Sequence, residues 1–169
     1  VATVRGLQTI AFADVIAAGE GEVLVPSLMS AIREAGDRGD LLRRLAARLQ
    51  GLRLVVVNST RVGGGVAELL ARHVPLFNEL GLRARWEVLE GTPDYFATTK
   101  RMHNALQGDR LELTSAQREA YLETNRRNAA RLDLDADVVV IHDPQPAPLL
   151  RFVEKRGPWI WRCHIDASM

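Results

Sequence analysis

The sequence predicts an α/β fold, a doubly wound parallel sheet with helices on its faces, and three observations carry that reading. Residues 52–58 and 137–142 are short apolar runs rich in valine, as expected of strands buried on both faces. Gly63, Gly64 and Gly65 follow the first run and lead into a stretch of helical period. Strand-like and helix-like stretches then alternate to the end of the chain.

Residues 1–50 read as a peripheral N-terminal segment with helical stretches. Leu41, Leu42, Leu45, Ala46 and Leu49 recur at helical spacing, with Asp40 placed to cap their start and Gly51 to stop them. Arg43, Arg44 and Arg48 fall on the opposite side, the solvated face of an amphipathic helix. After the strand at 52–58 and the glycine loop, Val66, Leu69, Leu70, His73, Val74, Phe77 and Leu80 give the next helix its apolar face. His73 reads as a core histidine, and Gly81 stands where a C-terminal glycine cap belongs. Residues 83–89 resume as a strand, completing a βαβ unit whose crossover should be right-handed. Pro93 opens a helix towards Leu106 that Gly108 ends; a second runs from Ala116 to about Arg131, capped by Thr114 or Ser115. Beyond the strand at 137–142, Pro146 starts a helix, Gly157 ends it, and 159–165 form the last strand. No capping helix follows, so the chain reads as a fragment.

Composition narrows the function classes. A chain of 169 residues fits one domain and buries about two-thirds of the surface its unfolded form exposes. The formal charge of +1, from 22 basic and 21 acidic residues, gives no reason for nucleic acid or an anionic membrane to be a partner. Cys163 is the single cysteine, which rules out an intrachain disulfide and fits a reducing cytoplasm. The apolar stretch 7–18 is broken by Gln8, Thr9 and Asp14, too short and polar for a membrane span.

Ligands of such sheets bind beyond the carboxyl ends of the strands, so the residues that follow each strand are the candidates. They are 58–65, then His142, Asp143, Pro144 and Gln145, and finally Arg162, His164 and Asp166. Without Cβ atoms, the triglycine lets backbone N–H groups approach a phosphate or sugar oxygen at a helix N-terminus. No Lys-Ser/Thr follows it, and Glu68 stands where a dinucleotide fingerprint needs its third glycine, so kinase and dehydrogenase readings lose ground. His142 and Asp143 can serve as a general-base pair, or with His164 and Asp166 as metal ligands. Asp143 can equally cap the helix after Pro144, and an imidazole beside a carboxylate also suits sugar hydroxyls. Trp159 and Trp161 share the core-facing side of their strand and Arg162 and His164 the other; Trp86 reads as core too. His103, Asn104 and Gln107 form a polar helix face. Glu79 and Glu87 have the spacing of a paired-glutamate motif, but a helix end, Gly81 and a strand start lie between them, so they cannot share one face.

Five blocks in order resemble the trehalose glycosyltransferring synthase family: 58–68, 84–91, 103–108, 142–146 and 161–166. The resemblance covers most of the chain from about residue 50 onward. It implies a retaining GT-B glycosyltransferase, in which two Rossmann-like domains face each other across a cleft. Residues 51–169 would be the Rossmann-like acceptor-side half, with the donor-binding domain and its glutamate pair absent from this chain. Such enzymes transfer glucose from a nucleoside-diphosphate glucose, such as ADP-glucose or UDP-glucose, to glucose, giving α,α-trehalose. By the same resemblance Gly64 and Gly65 approach the donor diphosphate or transferred sugar. Asp143 and His164 hydrogen-bond glucose hydroxyls, and Asn104, Gln107 and Arg162 are further acceptor-side residues. No cofactor is required, although a divalent cation such as Mg is compatible, as is a homodimer. The alternative reading is a stand-alone sugar- or nucleotide-binding module without catalysis; a metal-dependent hydrolase is a third.

Overall fold

The computed structural model describes residues 38–165. Its strands are β1 (Arg53–Asn58), β2 (Arg83–Val88), β3 (Val138–His142) and β4 (Trp159–Arg162). They pair in parallel throughout, in the order β2-β1-β3-β4. The chain steps outward from β1 to β2, then returns past β1 to β3. The direction of winding therefore reverses between β1 and β3, and the crevice outside their carboxyl ends is the topological switch point. The expected doubly wound architecture is present.

The valine runs form the strands buried on both faces. Leu54, Val56, Val138, Val140 and Ile160 pack with Leu70 and Phe77 of helix α2 (Gly65–Glu79). Val55, Val57, Val139, Ile141 and Trp159 pack on the other face with Tyr95, Leu132, Leu134 and Leu149. On that second side lie α3 (Pro93–Leu106) and α4 (Ser115–Arg131). These two run antiparallel, since Tyr95 meets Tyr121 and Asn125 while Arg101 meets Gln117.

The helix termini follow local chemistry. In α2, Leu82 N–H donates to Phe77 C=O and Gly81 N–H to Asn78 C=O, with Gly81 at φ 94°; this paired motif needs a residue free of Cβ strain. The Thr92 hydroxyl accepts from Tyr95 N–H at the start of α3. At α4, Thr114 and Gln117 form a reciprocal capping box.

Several elements differ from expectation. Helix α1 (Arg38–Ala47) contains Asp40 rather than starting after it, so Asp40 is not its cap. The segment after Pro146 is only a short 3-10 helix, Ala147–Arg151. Gly157 does not end a helix: a Cβ there would lie 2.1 Å from the Asp137 carbonyl oxygen, so glycine permits close approach of two backbones. Strand β4 stops at Arg162 instead of continuing to 165, because the chain turns to meet the 142–145 loop. Leu42, Leu45 and Ala46 of α1 line an apolar groove with Phe77, Val138 and Ile160. The expectations for residues 1–37, and the role of Asp166, lie outside the described residues. Among those described, no helix is long and apolar enough to cross a membrane.

Candidate functional site

The β1 end of the crevice is the glycine loop, and its base is fixed by a buried asparagine. Asn58 is the last residue of β1, and its side-chain amide donates to Thr60 C=O at 2.8 Å. Its Oδ1 accepts the Trp86 indole N–H at 2.7 Å, across from β2. Arg61 lies over the Trp86 ring at 4.4 Å and donates to the Trp86 carbonyl. Above this base, 61–65 are exposed. Gly63 has φ 75°, and Gly64, the N-cap of α2, has φ 88° and ψ 151°, conformations that favour glycine. Gly65 has no such positive φ, and a Cβ there would meet nothing within 4 Å. The α2 N-terminus thus opens into the crevice with its first N–H groups available to an anion or a sugar oxygen.

The β3 end is a turn held from three elements. Asp143 sits at φ 64°, the only non-glycine with positive φ among the described residues. Its carbonyl accepts the Trp161 indole N–H at 2.9 Å. The Tyr121 hydroxyl donates to Pro144 C=O, and the Tyr95 hydroxyl and Asn125 amide both donate to Gln145 C=O. Burial raises both tyrosine pKa values, so the phenols stay protonated donors. Three successive carbonyls are thereby tied down from α3, α4 and β4. Asp143 is then stitched to β4 on its other side: its N–H donates to Arg162 C=O at 2.9 Å, and its Oδ1 accepts His164 N–H at 2.7 Å. Its carboxylate does not cap the following helix, because it turns the other way to bind His164.

His142 and Arg162 are register partners at the ends of β3 and β4, and His164 follows two residues later. His142 Nδ1 lies 2.7 Å from His164 Nε2. Both imidazoles are held neutral. Burial, reinforced by the field of His164, Arg162 and His73, pushes the His142 pKa down to about 3. Burial and Arg162 lower that of His164, against a smaller opposing effect of Asp143. His73, on α2, is buried against Phe77 and is also pulled below its ordinary value, first by burial. Burial lowers the Arg162 pKa, while Asp143 offsets part of that effect. The crevice wall thus offers one carboxylate, one guanidinium and the neutral imidazole of His164, backed by buried His142, a set that can both donate to and accept from hydroxyls. Asn125 Oδ1, His142 Nε2 and Gln145 Oε1 are buried without a partner, and all lie at or against this turn. Such groups, with an unusual backbone conformation beside them, mark functional sites more often than ordinary cores.

The structure brings Asp143, Arg162 and His164 together, and places Gly64 and Gly65 at the neighbouring strand end across the switch point. Asn104 and Gln107 lie about 14 and 18 Å along the helix axis from Tyr95, the α3 residue that touches the turn. Trp159 is buried core, but Trp161 and Trp86 also brace the two loops through their indole N–H groups. Glu79 ends α2, just before the start of β2, while Glu87 sits near the carboxyl end of that strand, so the spaced pair lies at opposite ends of the strand, as expected. Among the described residues no group of three His, Cys, Asp or Glu side chains is arranged to hold a metal ion. No sequence motif marks the clamp of Tyr95, Tyr121 and Asn125.

An all-parallel sheet with helices on both faces and a switch point between β1 and β3 defines a Rossmann-like domain. More particularly, residues 56–169 match the family model for the trehalose synthase N-terminal domain, and the chain belongs to that family. It is 53% identical over 131 residues to a trehalose synthase of Thermococcus litoralis, which covers 76% of this chain and 32% of that protein. A trehalose synthase of Rubrobacter xylanophilus is 47% identical over 133 residues, covering 75% and 32%. A trehalose phosphorylase of Pleurotus pulmonarius is 32% identical over 123 residues, covering 64% and 17%. The chain thus spans about a third of the length of the trehalose synthases it matches.

Proposed function

We propose that this chain is the acceptor-side half of a retaining glycosyltransferase that moves glucose from a nucleoside-diphosphate glucose to glucose, forming α,α-trehalose. The observation that carries the reading is the pre-tied cluster of Asp143, Arg162 and His164, facing the open N-terminus of α2 across the switch point. Relatives named as synthases and relatives named as phosphorylases each align with more than half of this chain, and what their names share is trehalose. That supports a sugar-holding role for this half. Retention at the anomeric carbon needs the acceptor hydroxyl to approach on the face from which the diphosphate leaves. Rigid positioning and fixed dipoles are the means for this. The Asp143 turn supplies position, and the α2 N-terminus supplies the dipole near the departing phosphate.

The chain alone should bind glucose or trehalose weakly and show no turnover, because the groups that hold the nucleotide lie in the partner half. Sugar titration monitored by amide chemical shifts tests this. Shifts should cluster at Gly65, Asp143 and His164, and trehalose should form from a nucleoside-diphosphate glucose and glucose only when a donor-binding half is joined to the chain. A response scattered over the surface, or none at molar sugar, removes the assignment.

A further inference from the structure

The geometry points to His142 as a positioning residue that fixes the tautomer of His164, so that His164 presents an Nδ1–H donor to a sugar oxygen. The two ring planes differ by 19° and their centroids are 5.0 Å apart, with Nδ1 and Nε2 at 2.7 Å. A face-to-face stack does not bring two ring nitrogens so close. The rings instead meet edge to edge and nearly coplanar, the orientation in which an in-plane N–H points along an in-plane lone pair. One proton lies between two nitrogens, and the question is which ring owns it.

The far side of His142 decides. His142 is 3% exposed, and its Nε2 is buried without a hydrogen-bond partner. If His164 donated from Nε2, neutral His142 would carry its own proton on Nε2, leaving a buried N–H with nothing to accept it. Orphaned buried donors are rarer than under-satisfied acceptors. If His142 donates from Nδ1, only a lone pair is left facing the core. His164 then accepts at Nε2, and as a neutral ring it must carry its hydrogen on Nδ1. Adding a second proton to the pair is opposed by Arg162 on β4 and His73 on α2, with Asp143 as the opposing carboxylate. His164 is held in place independently, through its backbone N–H on Asp143. Asp143 thus fixes the His164 backbone, and His142 meets the ring nitrogen.

The ligand part of this inference rests on the proposed function; the tautomer part does not. Long-range proton–nitrogen NMR of the histidine rings in the whole chain reads the tautomer directly. Parent protein should show His164 protonated at Nδ1 and bare at Nε2. His142→Asn, whose amide keeps a donor near the Nδ1 position, should leave that pattern intact. His142→Phe should release His164 to the Nε2–H form and weaken sugar binding by about tenfold or more, the scale on which removal of a histidine's outer partner acts at metal sites. An Nε2–H tautomer of His164 in the parent, or an unchanged tautomer in a folded His142→Phe, overturns the proposal. Should His142→Phe fail to fold, the parent spectrum still decides it. A parent that shows the Nδ1–H form but no sugar response leaves the tautomer standing and counts against the sugar-binding function.

Discussion

Asp143 accepts the backbone N–H of His164 at 2.7 Å, so two residues from separate strand ends are joined independently of any ligand. The bond also explains the Asp143 backbone. At φ 64° the residue lies in the left-handed region that asparagine, aspartate and glycine tolerate best, and that geometry turns its carboxylate towards β4.

Substitutions at 143 should therefore separate fold from binding. Asn keeps an acceptor oxygen and tolerates positive φ, so Asp143→Asn should unfold within about 1 kcal/mol of the parent while losing the charge beside Arg162. Asp143→Ala loses both the acceptor and the backbone tolerance, and should cost about 2–3 kcal/mol by urea denaturation. Sugar affinity should fall in both. Equal stability of the two variants would mean that the His164 bond does not matter to the fold.

Much of this site was legible from residue order. The valine runs locate β1 and β3, and parallel pairing then places His142 opposite Arg162. The alternation from Val138 and Val140 to His142 even assigns that histidine to the α2 face. What alternation does not give is the placement of His164, which lies beyond the last residue of β4, its backbone held by Asp143 and its ring against His142. The tyrosine clamp was hidden for another reason. Its bonds join residues 50, 23 and 20 positions apart, and a buried aromatic looks like core until its hydroxyl partner is known. Gly157 shows the same limit: the sequence shows a missing Cβ, but not whether a turn or a neighbouring carbonyl requires it.

The adjacent glycines provide a control within one loop. Gly64→Ala forces a side chain into φ 88° and should cost about 1–3 kcal/mol of stability. Gly65→Ala meets no protein atom within 4 Å and lies in ordinary helical backbone, so its melting temperature should not fall. Its added methyl nevertheless stands at the α2 N-terminus, where the sugar or phosphate is proposed to sit. Reduced trehalose formation in a two-domain enzyme carrying Gly65→Ala, with parent-like stability, supports that location. Full activity moves the ligand elsewhere.

Trp86→Phe should loosen the glycine loop without opening the core. The ring volume is largely retained, but Asn58 Oδ1 loses its 2.7 Å donor inside the protein. Leaving that buried acceptor unpaired should cost about 1–3 kcal/mol. Hydrogen exchange should accelerate at 59–64 and remain slow in β3. Uniform acceleration across the sheet would show that Trp86 acts mainly by packing.

Acid should destabilise the fold through the histidine cluster before the carboxylates titrate. His142 titrates near pH 6.5 when unfolded but at about 3 when folded, and His73 and His164 are lowered in the same direction. Between those values the unfolded chain binds more protons than the folded one, so stability rises with pH. It is fully present above about pH 6.5, and falls below that by up to about 1.4 kcal/mol per pH unit for each histidine kept neutral. Once pH drops past the folded pKa, that histidine adds no further loss. His142→Asn removes one of these protons, so its stability should decline less steeply between pH 6 and 4, a comparison that urea unfolding at several pH values makes directly. Identical slopes for parent and variant would show that His142 accepts its proton in the folded state, and that the 2.7 Å contact with His164 does not join two neutral rings.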